Sequence, residues 1–132
     1  MKRSSLSPIQ ALLPALLAIL PISISVRAVA DSISAGDSER GKALYRGCQA
    51  CHSVDDNDLG PRHRGIVGRH AGGVEDYSYS NALKQSGLVW NDSTLDQWLT
   101  YPSALVPGTK MYFKLDDPQS RADVIAYLKE LK

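Results

Sequence analysis

The spacing of apolar side chains predicts a helix at the C-terminal end of the chain. Apolar residues recur there at intervals that place them on one helical face: Val124, Ile125, Leu128 and Leu131. Asp117 supplies a capping side chain ahead of this face, and Pro118 occupies the first helical position, where proline is favoured. We therefore expect the chain to end in an amphipathic helix.

Three earlier segments also carry the start and stop signals of helices. The predicted spans are Glu39 to Arg46 after a cap at Asp37 or Ser38, a short helix from Ser80 to Gly87, and a third from Asn91 or Asp92 through Trp98 to Pro102. Polar loops rich in glycine and proline separate them, at residues 53–58, 65–76 and 103–117. No hairpin signal suggests a sheet, and no internal repeat appears. An all-α, single-domain fold is therefore expected.

The N-terminal segment reads as a leader. Basic residues precede an apolar stretch from Ile9 to Ile24, and the small residues Ala28-Val29-Ala30 follow it. This order is typical of a secretory signal peptide, so we expect residues 1–30 to be removed and residues 31–132 to form the mature domain. An uncleaved membrane anchor is the alternative, although the stretch is short for a span and contains two prolines.

The size and charge of the mature chain limit its functions. The whole chain has a formal net charge of +1, and the leader holds Lys2, Arg3 and Arg27 but no acid, so the mature chain carries −2. This balance argues against nucleic acid as a partner and against a polybasic membrane surface. A chain near 100 residues buries a thin core. A flat apolar cofactor would add to that core.

The strongest chemical signal is the motif Cys48-Gln49-Ala50-Cys51-His52. Two thiols at this spacing can add to the two vinyl groups of one haem, and the adjoining histidine can then bind the iron. A dithiol or half of a zinc site is the alternative. The sequence has no second cysteine pair to complete four zinc ligands, and no thioredoxin-like strand and helix pattern surrounds the motif. The motif therefore predicts one covalently attached haem c.

Met111 is the only methionine left after the leader, and its thioether is a candidate sixth ligand. A soft sulfur ligand favours ferrous iron relative to a second imidazole and so raises the reduction potential. A methionine that simply fills a gap in the core is the ordinary alternative. His63, His70 and Lys110 are rival sixth ligands.

Beyond this motif, the chain resembles the class I soluble cytochromes c, of the mitochondrial and bacterial c2 types, from Gly36 to its end. The matching pieces, in order, are the Cys48–His52 motif, Gly60-Pro61, Gly65, Gly68-Arg69, Tyr77-Ser78-Tyr79, Trp90, Pro107-Gly108-Thr109-Lys110-Met111, Phe113 and Arg121–Lys129. The resemblance implies the helical fold of that family, wrapped around one haem. It also implies that Gly41, Tyr45 and Tyr127 lie where the first and last helices cross.

The resemblance further assigns residues around the haem. It implies that the Pro61 carbonyl accepts a hydrogen bond from the ring of His52, although a proline that only turns the loop is compatible with the sequence. Residues suited to the haem propionates, by hydrogen bonding or charge, are Arg69, Tyr79, Trp90 and Thr109. Tyr79 and Trp90 are alternatively ordinary core aromatics.

Three residues depart from the family pattern. Trp98 stands where the family usually has a tyrosine near the methionine sulfur, and Leu83 replaces an asparagine of the mitochondrial type. We expect the indole N–H to miss the sulfur, so that Trp98→Tyr raises the potential. His63 replaces a leucine that packs near the haem, and we expect a neutral, packed or edge-exposed side chain.

These residues predict a monomeric periplasmic one-electron carrier that is not an enzyme. Expected donors are a quinol-oxidising complex or a dehydrogenase, and expected acceptors are an oxidase, a reductase or a photosynthetic reaction centre. Lys42, Lys84, Lys110 and Lys114 are retained from the family's ring of docking lysines. Membrane contact is expected only through partners unless the leader is an anchor. The alternatives are a small-ligand sensor or peroxidase-like protein with a labile sixth ligand, and a haem subunit of a dehydrogenase complex.

Overall fold

Helices and loops build the part of the chain that the computed structural model describes, residues 34–132. The predicted leader, residues 1–30, lies outside this range. The helices are α1 (Ser38–Leu44), α2 (Asn81–Lys84), α3 (Asp92–Thr100), α4 (Pro102–Leu105) and α5 (Pro118–Glu130), with a 3₁₀ helix at Tyr45–Ala50. Within the same range the only β-type pairing is one isolated bridge between His70 and Val89. The all-α prediction is confirmed.

Polar side chains cap the longer helices where the sequence indicates. The Asp37 carboxylate accepts a hydrogen bond from the Arg40 N–H, and Asp117 accepts one from Ser120. Asn91 and Thr94 form a reciprocal capping box at the start of α3. These contacts satisfy backbone N–H groups that have no partner within the helix.

Three boundaries differ from the sequence prediction. The first helix ends at Leu44, two residues before Arg46, and a 3₁₀ helix follows. The short helix after Ser80 ends at Lys84, three residues before Gly87. Pro102 follows the end of α3 and is also the first residue of α4. Proline is tolerated there because the backbone N–H that it lacks would have no partner within the helix at the first position. The expected loop at 103–117 therefore begins with helix.

The crossing of α1 and α5 organises the domain. A methyl group added at Gly41 would overlap the backbone carbonyl of Asp123, so the missing side chain permits the close approach. The ring of Tyr45 packs against Tyr127 with a centroid separation of 5.1 Å. The predicted placement of these residues at the crossing is confirmed.

A charged network fastens the same crossing. Asp123 is buried on α5, and its carboxylate accepts hydrogen bonds from the Asp37 N–H at 2.8 Å and the Arg40 Nε–H at 2.8 Å. The Arg40 hydrogen bond holds the pKa of Asp123 down, at about 2. Asp123 is therefore ionised near neutral pH, and it ties the N-terminal helix to the C-terminal one.

The core lies between α3, α5 and the 3₁₀ helix and includes Tyr45, Leu95, Leu99, Val124 and Leu128. These buried side chains form one wall of a cavity that the loops close. Within residues 34–132, no helix has the length and apolar character needed to cross a membrane.

Candidate functional site

The 3₁₀ helix directs the cysteine motif toward the cavity. Cys48, Cys51 and His52 all line it, and the His52 N–H donates to the Cys48 carbonyl at 2.9 Å. Cys48 and Cys51 form no disulfide. Burial raises the pKa of the Cys48 thiol to about 11, so this thiol is protonated near neutral pH, unlike the activated thiolates of redox dithiols.

The ring of His52 is held with one nitrogen available. Its Nδ1 lies 2.8 Å from the Pro61 carbonyl oxygen, which can only accept, so Nδ1–H is the donor. A neutral imidazole with Nδ1 protonated keeps its lone pair on Nε2, the arrangement that a metal-binding histidine needs. Burial lowers the pKa of His52, which favours this neutral form. Gly60 lies so close that a methyl group there would overlap the ring.

Met111 lines the same cavity from the loop that follows α4. Gly108 precedes it with a φ of 91°, a left-handed backbone conformation that side chains disfavour. Thr109 is buried, and its hydroxyl oxygen accepts the Met111 N–H at 3.4 Å. The loop thus brings a thioether, a weakly basic soft ligand, into the space that His52 faces.

Trp98 reaches the sulfur of Met111, contrary to the sequence expectation. The indole Nε1–H donates to Sδ across 3.1 Å. Trp90 packs edge-on against Trp98 with ring centroids 5.2 Å apart, and both indoles are buried. The expectation that the indole misses the sulfur is therefore wrong, because the position of α3 compensates for the different reach of the larger ring.

Arg69 presents an unpaired buried donor. Its Nη1 donates to the Arg64 carbonyl at 3.0 Å and its Nη2 to the Arg62 carbonyl at 2.8 Å. Its Nε is buried and, within residues 34–132, has no hydrogen-bond partner. Burial also lowers the pKa of Arg69, a sign that the guanidinium is partly desolvated. A buried cation of this kind is stabilised by an anion.

The other predicted propionate contacts, Tyr79, Trp90 and Thr109, line the same cavity as Arg69. The cavity thus combines a cysteine pair, an imidazole with a free nitrogen, a thioether, an apolar wall and anion-binding donors. This donor set fits an iron porphyrin that has vinyl groups to attach and carboxylates to neutralise. The cavity is lined by every residue that was predicted from the sequence to bind the haem or its iron.

The three rival sixth ligands are not placed to oppose His52. The ring of His63 stacks on the ring of His52, with centroids 4.1 Å apart, whereas two ligands on opposite sides of a metal point their donor atoms at each other. His70 is exposed and does not line the cavity. The ammonium of Lys110 donates to the Ser78 carbonyl at 3.0 Å.

His63 is packed, as expected, and it also has a polar partner that the sequence did not indicate. Its Nδ1 and the Tyr45 hydroxyl share a hydrogen bond of 2.9 Å. Burial, with the nearby His52 and Arg69, lowers the pKa of His63 to about 3. The ring is therefore neutral near neutral pH.

Apolar side chains surround the mouth of the cavity, a feature that the sequence analysis missed. Leu59 and Tyr112 are 75% and 76% exposed, and Phe113 is 45% exposed. Of the predicted docking lysines, Lys110 bonds to Ser78, and Lys114 pairs with Asp116 at 3.4 Å. No local pattern signals an exposed apolar residue, because its position depends on how the loops fold.

Comparisons with known proteins identify sequences that resemble this chain. A family model described as Cytochrome c matches residues 38–132. Cytochrome c2 of Rhodomicrobium vannielii is 45% identical over 103 residues, which cover 75% of this chain and 82% of that relative. Cytochrome c2 of Rhodopila globiformis is 46% identical over 101 residues, covering 74% and 95% respectively.

Solved structures give the same result. Cytochrome cH from Methylobacterium extorquens superimposes with a TM-score of 0.70 at 45% identity, over 72% of this chain and 99% of that one. Ferricytochrome c2 from Rhodopseudomonas palustris has a TM-score of 0.70 at 37% identity, over 73% and 99%. The residues matched by the family model include the whole lining of the cavity.

Proposed function

Because this chain belongs to the cytochrome c family of electron carriers, we propose that it is a periplasmic one-electron shuttle whose iron is bound by His52 and Met111. The family's cofactor is one covalently bound haem c, which supplies an iron that alternates between ferric and ferrous states. The observation that carries the assignment is the shared cavity. Cys48, Cys51, His52 and Met111 all line it, and the Pro61 carbonyl already occupies the other nitrogen of His52.

The remaining residues of the cavity serve attachment and charge balance. Cys48 and Cys51 would hold the haem through thioether bonds. Arg69, with Tyr79, Trp90 and Thr109, would neutralise and hydrogen-bond its carboxylates, because the unpaired Nε–H of Arg69 has no other acceptor among the described residues. The buried apolar wall excludes water from the iron's surroundings.

Two protein ligands leave no open coordination position, so we assign this chain an electron-transfer role and no substrate turnover. The Trp98 N–H withdraws electron density from the Met111 sulfur and holds it in place. Since a weaker sulfur donor stabilises ferric iron less, this bond raises the reduction potential. The chain's own residues thus set both the closed coordination and the potential.

The route of the electron is also a proposal. Residues 1–30 would export the chain to the periplasm, leaving residues 31–132 as the mature monomer. A quinol-oxidising complex or a dehydrogenase would reduce it, and an oxidase, a reductase or a reaction centre would oxidise it. The exposed apolar side chains at the mouth of the cavity, Leu59, Tyr112 and Phe113, give these partners a surface to contact.

Extraction and an optical spectrum test the assignment of the cysteines and His52. Haem should stay with the matured polypeptide in acidic organic solvent, and ferric wild type should be low-spin. His52→Ala should lose normal low-spin ligation, whereas the matched control His70→Ala should not, because His70 is exposed and outside the cavity. Complete extraction from wild type would show that no thioether forms. High-spin iron that binds carbon monoxide rapidly would indicate a sensor or a peroxidase-like protein.

A further inference from the structure

Tyr45 and His63 form a partly buried polar pair that the electron-carrier role does not explain. Tyr45 is 1% exposed, and its hydroxyl lies 2.9 Å from His63 Nδ1. A buried hydroxyl that lost this partner would be costly, so the contact fixes the orientation of the His63 ring. The two rings also meet edge to face, with centroids 5.6 Å apart.

The other side of His63 contacts the ring of His52. The two imidazoles are 4.1 Å apart between centroids, and their planes are inclined by 23°, so they are stacked face to face. His52 is otherwise anchored through its Nδ1 hydrogen bond to the Pro61 carbonyl. Carbonyl oxygens accept hydrogen bonds over a broad range of directions, so that bond alone leaves the ring free to tilt. A stacked neighbour restricts the tilt.

We infer that His63, oriented by the Tyr45 hydroxyl, is a positioning residue that sets the plane of the His52 ring. The inference rests on the proposed function, in which His52 binds the iron. The orientation of a metal-bound imidazole and its basicity are controlled by the groups that contact its ring. A leucine at position 63, as the resemblance to the cytochromes c would suggest, fills space but neither stacks nor bonds to Tyr45.

The pair also places a neutral polar group beside the iron's ligand. A polar, polarisable ring stabilises the additional positive charge of the ferric state more than an aliphatic side chain does. Loss of the His63 ring should therefore shift the ferric-to-ferrous equilibrium toward ferrous iron. This shift is separate from any change in the ring plane.

Four variants of the matured haem protein separate these contributions. His63→Leu removes both the stack and the hydrogen bond, His63→Phe keeps an aromatic face without the bond, and Tyr45→Phe removes only the hydroxyl. Tyr127→Phe is the matched control, because it removes a hydroxyl from the ring that packs against Tyr45 at 5.1 Å. The proton NMR shifts of the haem methyl groups in ferric protein report the plane of the axial imidazole, and voltammetry reports the equilibrium constant.

We expect His63→Leu to change the order or spread of the methyl shifts and to favour ferrous iron. His63→Phe and Tyr45→Phe each keep a ring but lose the hydrogen bond, so both should move the shifts part of the way, and Tyr127→Phe should change neither measurement. A His63→Leu protein with wild-type shifts, or a His63→Phe protein shifted as far as His63→Leu, would overturn the role of the stacked ring. Wild-type shifts in Tyr45→Phe would overturn the role of the hydroxyl.

The failure of the proposed function gives a different result. If His52→Ala keeps wild-type ligation, then His52 is not the iron ligand and the inference fails with it. A high-spin ferric wild type would contradict the proposed ligation by Met111, and the methyl shifts of His63→Leu would still test the positioning role. If the wild-type iron is low-spin and requires His52, but His63→Leu leaves the methyl shifts unchanged, only the positioning role fails. Since leucine is the residue expected at position 63 from the resemblance, and Tyr45→Phe conserves volume, both variants should fold.

Discussion

The two proposed ligands differ in what holds them. His52 lies within a compact set of nearby backbone hydrogen bonds, including His52 N–H to the Cys48 carbonyl at 2.9 Å and Gly60 N–H to the Cys51 carbonyl at 2.7 Å. Its ring is fixed by Pro61 and His63, each within eleven residues. Met111 lies in a loop, and the side chain that bonds to its sulfur, Trp98, belongs to another helix.

The loop after Met111 is also fastened by distant groups. The Leu115 N–H donates to the Leu99 carbonyl at 2.7 Å. The guanidinium of Arg121 on α5 donates to the Leu115 and Asp116 carbonyls and pairs with Asp96 at 2.7 Å. The position of Met111 therefore depends on tertiary structure, whereas the position of His52 is largely encoded locally. The methionine is the ligand that substitutions elsewhere should loosen first.

Asp123→Asn should have the largest effect on the stability of the whole fold, because α1 delivers the chain to the cysteine motif. The amide loses the charge that binds Arg40, and we expect the free energy of unfolding to fall by about 2 kcal/mol in urea titrations near neutral pH. Asp37→Asn is the control, because asparagine caps a helix as well as aspartate does and the Asp37 side chain is 43% exposed. An equal loss in both variants would contradict a special role for the buried carboxylate.

The ion pair between Asp123 and Arg40 also predicts how the free energy of unfolding depends on pH. The pKa of Asp123 is about 2 in the fold, below the ordinary value of 3.8, so its stabilisation is present above pH 3.8 and is lost as the pH falls toward 2. The advantage of wild type over Asp123→Asn should therefore shrink through that window.

Arg121→Gln should selectively weaken the proposed bond between the Met111 sulfur and the iron. Losing the bonds from the guanidinium to Leu115 and Asp116 should allow a deprotonated lysine to replace the sulfur at lower pH. If the methionine-bound state is destabilised by about 1.4 kcal/mol, the midpoint pH of this ligand replacement should fall by about one unit. The ferric sulfur-to-iron absorption band, followed in a pH titration, measures this midpoint. The control is Lys129→Gln, which changes another residue of α5 and breaks its exposed pair with Asp92 of α3. It should leave the midpoint unchanged, and equal shifts would refute the selectivity.

Trp98→Phe tests the bond to the sulfur, because phenylalanine keeps an aromatic ring at this position and has no N–H. Removal of the indole N–H should strengthen sulfur donation to ferric iron and lower the potential. If the bond contributes ~1 kcal/mol, at 59 mV per ~1.4 kcal/mol, the drop is roughly 40 mV by voltammetry. The 3.1 Å contact also replaces the sequence-based expectation for Trp98→Tyr, which we now expect not to raise the potential. An unchanged potential in Trp98→Phe would show that the N–H does not tune the iron.

Charge reversal at the docking lysines should have the smallest effect. Lys84 is exposed and has no ion pair within residues 34–132, whereas Lys110 and Lys114 are bonded to Ser78 and Asp116. Exposed charges are screened over ~10 Å at 0.1 M salt, so Lys84→Glu should slow association with a redox partner more than Lys110→Glu or Lys114→Glu, and only at low ionic strength. Stopped-flow rates that are indifferent to salt and to all three changes would place docking on the apolar mouth.

Sequence reasoning predicted the structural features that depend on residues close together in the chain. Asp37, Asn91 and Asp117 act as caps because each bonds to the backbone three residues ahead, and the cysteine motif places its histidine by the geometry of a single turn. The resemblance to a family added the residues that line the cavity. It also placed Gly41 at the helix crossing.

The parts that it did not predict depend on contacts between distant segments. The reach of Trp98 to Met111 depends on how α3 packs, and the bond from Tyr45 to His63 joins a helix to a loop. The exposure of Leu59 and Tyr112 depends on the path of the loops. No periodic pattern encodes these positions.

The ferric absorption spectrum of Met111→Ala, compared with that of wild type, tests the central claim most directly. The claim is that His52 and Met111 together close the coordination of the iron. Wild type should show the weak long-wavelength sulfur-to-iron band near neutral pH, and Met111→Ala should lose it while the haem stays attached through Cys48 and Cys51. A wild-type protein without the band, or a variant that keeps it, would contradict the account.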